Sequence, residues 1–205
     1  MKKQLLTLLF SLLVWPLAVF ALDSKSAVGQ PAPDFSAVDL DGKNVSLSDY
    51  KGKLVVLEWF NEGCPFVKKH YESNNMQKLQ ERYATKGVVW LIINSSGEGK
   101  EGYKTPAGHK QTWQNWGIKA TNFLLDTPGT IGKLYGAKTT PHMFIINQQG
   151  VLVYAGAIDS KPSTAAKDIP GATNYVSAAL DELLSGKTVT VASTNAYGCG
   201  VKYAS

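Results

Sequence analysis

Residues 54–71 read LVVLEWFNEGCPFVKKHY, and the reading of this stretch decides the fold. Its first seven residues form an apolar run with β-branched and aromatic members, interrupted only by Glu58. Such a run describes a central strand buried on both faces. Alternation within it puts Glu58 and Phe60 on one face, with Leu57 and Trp59 on the other. Pro65 suits the first turn of a helix, and Phe66, Val67, Tyr71, Leu79 and Tyr83 recur near helical spacing among lysines and glutamates. The spacing predicts one long amphipathic helix over 65–84. Cys64 then stands at the helix N-terminus, where unpaired N–H groups and the helix dipole stabilise a thiolate. Lys68, one turn on, adds positive charge. The alternative is an inert buried cysteine packed as a small hydrophobe. A Cys-x-x-Cys motif would close at residue 67, which is Val67.

Working outward, residues 23–35 are polar and proline-rich and read as extended chain, and residues 41–53 hold a short strand between glycine turns. GVVWLIIN (87–94) is a second buried strand. The Gly- and Lys-rich segment 95–110 lacks periodicity and is long for a connection, a length associated with function or mobility; His109 falls in it. A short helix near 110–117 and the strand NFLLD (122–126) follow. TPGTIGKLYG (127–136) reads as a helix capped by Thr127 and closed by Gly136. Residues 143–156 form a hairpin around Gln149-Gly150, residues 171–184 an amphipathic helix, and TVTVA (188–192) an edge strand. Strands alternating with helices predict an α/β fold, a sheet with helices on both faces.

The chain has 205 residues, 44% hydrophobic and 18% charged, which suits one packed domain, here 22–205 with a tail over 187–205. Residues 1–21 carry two lysines, a long apolar run and small residues at the end, as a secretory signal peptide does, with cleavage after Ala21. An uncleaved anchor is the alternative. Cleavage predicts a periplasmic or secreted protein without stable membrane association. Apart from Arg82 the basic residues are all lysines, and no basic cluster interleaves with aromatics. Nucleic acid is therefore excluded as a partner. The cysteines are Cys64 and Cys199, an even number compatible with one disulfide in an exported protein.

Three further features concern chemistry. Glu58 is an acid inside an apolar strand, where burial raises a carboxyl pKa towards neutrality and suits it to proton transfer; a lysine partner at the strand end is the competing reading. Pro141 precedes a strand that otherwise looks central, so it belongs at the strand's first residue and in a cis bond. If that loop faces Cys64, the backbone of Thr140 can pair with a substrate chain as an added strand. His70 reads as a partly exposed helix residue. The tryptophans at 59, 90, 113 and 116 read as core, the last two also beside the Gly-Lys segment.

Taken together, PAPDF (31–35), DGKNVSLSDYKGK (41–53), LVVLEWF, GCPF (63–66) and TTP (139–141) resemble the thioredoxin superfamily. CPFVKKHY, YAGAID (154–159), GATNYVSAAL (171–180) and YGCGVKY (197–203) resemble its peroxiredoxin-like exported redoxins, of the AhpC/TSA type. The resemblance implies a thioredoxin-like fold, a central mixed sheet flanked by helices with an N-terminal extension. It also implies a thiol-dependent oxidoreductase without cofactor, acting on a protein or small-molecule disulfide or on a peroxide and fed by an electron-donating thiol protein. Cys64 matches the nucleophile, Glu58 the buried acid, and Pro65, Phe66, Thr140 and Pro141 the substrate-contacting positions. Two departures stand out. Val67 replaces the second thioredoxin cysteine, and Asn61 occupies the position of the peroxiredoxin Thr or Ser. Cys199, between Gly198 and Gly200, then offers a resolving thiol from the tail. Two alternatives remain open: Cu(I) held by Cys64, Cys199 and His142, or a Cys64–Cys199 bridge that only stabilises the fold.

Overall fold

The computed structural model describes residues 26–205, so the leader expected over 1–21 lies outside the described residues. No helix among them is long and apolar enough to cross a membrane. The strand expected at the start of the quoted stretch is β3 (Val55–Trp59), buried at every position. It is central. β4 (Val89–Asn94) pairs with it in parallel and β7 (His142–Ile146) antiparallel. Outward from β4 come β5 (Asn122–Leu125), β1 (Ser36–Asp39) and β2 (Asn44–Ser46); outward from β7 comes β8 (Leu152–Gly156). These seven strands form one mixed sheet in the order β2-β1-β5-β4-β3-β7-β8.

The alternation along β3 separates two cores. Val56 and Phe60 join Val67, Tyr71, Met76, Tyr83, Met143 and Leu180 on the face covered by α1 (Pro65–Glu72), α2 (Asn75–Ala84) and α5 (Tyr175–Leu184). Val55, Leu57 and Trp59 join Ile131, Tyr135 and Phe144 on the face covered by α4 (Thr130–Tyr135). Cys64 belongs to the first core.

Several local expectations change. The helix expected over 65–84 is two helices, because Asn74 takes a left-handed conformation, φ 60°. Asn tolerates that region better than most residues, and Ser73-Asn74-Asn75 offers little helix propensity. α3 spans Pro106–Asn115, capped by Thr105, whose Oγ1 accepts from the Gly108 N–H at 3.3 Å. His109 is therefore a buried helix residue, not part of a mobile loop, and its ring lies 4.8 Å from that of Phe123. Trp59 and Trp90 are core residues, and Trp113 and Trp116 pack at its margin.

α4 starts after Gly129 rather than at Thr127. The Asp126 carboxylate, at the end of β5, reaches over to accept from the Ile131 and Gly132 N–H groups at 3.1 and 2.8 Å. Residues 188–192 form no strand. The Glu182 side chain takes the Thr190 N–H at 2.9 Å, and backbone pairing of the tail with β8 is a single bridge, Ser193 to Ala155. Beyond it the tail turns across the molecule to β9 (Cys199–Gly200), which pairs antiparallel with β6 (Thr139–Thr140).

Candidate functional site

Cys64 sits directly before α1, with Pro65 as the helix's first residue. Asn61 shapes the turn leading to it. Its Oδ1 accepts from the Gly63 N–H at 2.8 Å, and its carbonyl accepts from the Cys64 N–H at 3.1 Å. The position that peroxiredoxins give to Thr or Ser thus serves the backbone here. Above this turn, Asn94 Nδ2 donates to both Phe60 O and Gly102 O at 3.1 Å, fastening residues 97–103 over the approach to the cysteine.

The Cys64 side chain is fully buried. As a thiol it donates to Thr140 O at 3.0 Å, and the Thr140–Pro141 bond is cis. The register of β6 and β9 sets Cys199 opposite Thr140, so both cysteines, free thiols here, meet at one point. Burial pushes the Cys64 pKa up. Hydrogen bonding from the Cys199 side chain, the Thr140 side chain and the backbone N–H groups of Cys199 and Val67 outweighs it, and the net direction is down. The buried Thr140 hydroxyl has no hydrogen-bond partner among the described residues. Cys199 moves the opposite way, to about 12, through burial first and then through the negative charge it faces on Cys64. When Cys64 ionises, the Cys199 thiol is placed to donate to its sulfur, which favours the anion on Cys64 and disfavours one on Cys199.

Glu58 is fully buried beneath α1, on the Cys64 side of the sheet. Tyr71 OH donates to Oε1 at 2.9 Å, and Trp90 Nε1 and Gln80 Nε2 donate to Oε2 at 2.7 and 3.4 Å. No lysine pairs with it among the described residues, and neutral donors fill both oxygens. Burial lifts its pKa to about 7 against these hydrogen bonds. No hydrogen bond joins it to either cysteine among the described residues.

The positions expected to touch substrate are occupied by the tail. Thr140 pairs with Cys199, and Phe66 packs edge-on against Tyr197, ring centroids 5.8 Å apart. Pro65 alone of this group remains exposed. Tyr197 OH donates to Asp159 Oδ1 at 2.5 Å. Asp159 also lies 3.5 Å from Lys69 Nζ and 3.8 Å from His70 Nε2, all three side chains almost wholly inaccessible. His70 is thus buried, not partly exposed, and burial holds its pKa down at about 4 despite the nearby Asp159. Sequence reasoning missed this cluster, because Lys69 and Asp159 look like surface residues. The available signal was Tyr197, an aromatic side chain two residues before Cys199.

Two other candidates lie elsewhere. His142 pairs with Trp59 and stacks on Phe144, 4.4 Å away, in the core opposite Cys64, so the copper set Cys64, Cys199 and His142 is not brought together. Among the described residues no group of His, Cys, Asp or Glu is arranged to hold a metal. Arg82 is exposed on α2 and pairs with Asp181 of α5 at 2.9 Å.

Comparison with known proteins agrees with this fold. Residues 28–155 match the model of the AhpC/TSA family. The thiol-disulfide oxidoreductase ResA of Bacillus cereus is 29% identical over 134 residues, 65% of this chain and 72% of that protein. The thioredoxin-like protein YneN of Bacillus subtilis is 32% identical over 171 residues, 78% of this chain and 94% of that one. Among solved structures, an uncharacterized conserved protein from Geobacillus kaustophilus superposes with a TM-score of 0.73 at 29% identity, covering 87% of this chain and 93% of its own.

Proposed function

The chain belongs to the AhpC/TSA family, and on that premise we propose that it is an exported thiol–disulfide oxidoreductase with Cys64 as nucleophile and Cys199 as resolving thiol. The observation that carries this reading is the convergence of both thiols on one point, with Cys64 lowered and Cys199 raised in pKa. The Cys64 thiolate attacks one sulfur of a substrate disulfide and expels the other as a thiolate, leaving a mixed disulfide. Cys199, having lost its proton, attacks the Cys64 sulfur and expels the second thiolate. The substrate is reduced to two thiols and the protein retains a Cys64–Cys199 disulfide. An external electron-donating thiol reopens it. Glu58, poised near neutrality, takes up and returns the proton of this cycle. Export rests on the leader-like residues 1–21, and with the leader removed the protein is periplasmic or secreted.

Disulfide exchange is favoured over peroxide reduction by the engagement of Asn61 with its own backbone turn and of Arg82 with Asp181. Neither is free to polarise a peroxide. The test is thiol trapping with intact-mass analysis across glutathione potentials. Wild type forms a Cys64–Cys199 bridge that opens and closes within the range of an exported compartment. Cys199→Ser accumulates the mixed disulfide on Cys64, and Cys64→Ser loses turnover altogether. A bridge that resists reduction, or two thiols that never pair, would sink the reading.

A further inference from the structure

The edge at which a polypeptide would add as a strand is already filled. β9 sets Cys199 opposite Thr140 and Gly200 opposite Thr139, and the Val201 N–H donates to Lys138 O at 3.1 Å. An extended substrate chain drawn to Cys64 needs the same backbone groups.

The occupant is fastened on both sides. Upstream, Thr194 Oγ1 accepts from the Ala157 N–H at 2.9 Å and Tyr197 holds Asp159. Downstream, Lys202 O accepts from the Gly97 N–H at 2.8 Å, and Tyr203 OH donates to Ala137 O at 2.7 Å. Gly198, at φ 143°, lies so close to β6 that a Cβ there would stand 2.1 Å from Thr140 O. A tethered strand competes with an effective concentration on the order of millimolar, well above that of a free chain. On the other flank of Cys64, a groove beside Pro65 is lined by Lys68, Glu72, Ser73 and Thr164 and includes no tail residue.

We propose that β9 is a specificity filter: it reserves the strand-pairing edge for Cys199 and restricts Cys64 to low-molecular-weight disulfides, excluding polypeptide disulfides. This rests on the exchange reading above. Cys64 is sealed while the tail is docked, so reaction begins with a small excursion of the tail. A small disulfide then needs only the sulfur. A polypeptide also needs the backbone of Thr139 and Thr140 vacated. The bond changes are those of ordinary exchange. One S–S bond of the small disulfide breaks as one forms to Cys64. Attack by Cys199 releases the second small thiol, and an external thiol reductant restores both cysteines.

The experiment uses full-length protein carrying Cys199→Ser, so that capture on Cys64 is read without resolution. Capture rates are followed by quenched intact mass with glutathione disulfide and with an unfolded polypeptide bearing one disulfide. Glutathione disulfide is expected to react at least about tenfold faster than the polypeptide. Adding Gly198→Ala, which forces the tail off β6, raises the polypeptide rate about tenfold or more and the glutathione disulfide rate less than about threefold. Tyr197→Phe removes a single hydroxyl, shifts the rates in the same direction, and serves if Gly198→Ala does not fold. Equal rates for both substrates, or a polypeptide rate that neither variant moves, would overturn the filter while leaving exchange intact. Capture of neither substrate in any variant would overturn the exchange reading, and the filter with it.

Discussion

Glu58 shows what a single residue reveals and conceals. An acid inside LVVLEWF declares itself in the sequence, because an apolar strand has no reason to carry one. Its partners do not, since Tyr71, Gln80 and Trp90 come from two helices and a neighbouring strand. The effect of its burial, which outweighs these hydrogen bonds, is measurable. With a native pKa near 7 against an ordinary value of 4.5, Glu58 holds a proton in the folded chain that the unfolded chain releases between these limits. Its stabilising contribution is complete below about pH 4.5 and is lost as pH rises through about 7, an effect of about 3 kcal/mol. Denaturant titrations at several pH values should show wild type losing that amount relative to Glu58→Gln across this window. Parallel pH profiles would place the carboxyl in water. Cys64 was legible for a different reason, since its strand–cysteine–proline–helix setting is local. His70 and Asp159 were not, because their burial depends on a tail more than twenty-five residues beyond Asp159 folding back over α1.

Among the elements, strands read more truly than helices. The apolar runs of β3, β4 and β7 are buried throughout, and burial on both faces leaves such a run few alternatives. Helix boundaries, and the expected edge strand over 188–192, turned on side chains that compete for backbone groups. Glu182 diverts Thr190 from pairing, and Asp126 sets the start of α4 from a strand end. Asn74 separates α1 from α2 with a left-handed φ of 60°, which bends the chain so that both helices pack over the Cys64 face. A glycine adopts that conformation freely, whereas a β-branched residue does so at a cost of roughly 1–2 kcal/mol. Asn74→Gly should therefore leave the unfolding midpoint nearly unchanged and Asn74→Val should lower it. Equal effects would mean that the break is held by packing and not by the residue's own backbone preference.

At the scale of the whole molecule, three buried histidines share one behaviour. His70 on α1, His109 on α3 and His142 on β7 are each pushed down to about 4 by burial. The folded chain refuses protons that the unfolded chain accepts from pH 6.5 downwards. Their contribution to stability is present above pH 6.5 and is lost as pH falls through about 4. Glu58 opposes the trend between 4.5 and 7, leaving a net loss of about 2 kcal/mol per pH unit on acidification from 6 to 5. Unfolding measured over that range should show this slope, and a flat response would mean the histidines are hydrated and titrate normally.

The pairing of β9 with β6 has a further consequence for how the protein is made. Synthesis proceeds from the N-terminus, so Cys64 and all seven strands of the central sheet emerge before Cys199 does. Until residues 194–203 arrive, the nascent chain carries Cys64 with neither its lid nor the Cys199 hydrogen bonds that lower its pKa. The segment that covers the thiol is also the one that activates it, so a chain cut short before Cys199 carries an uncovered but less acidic cysteine.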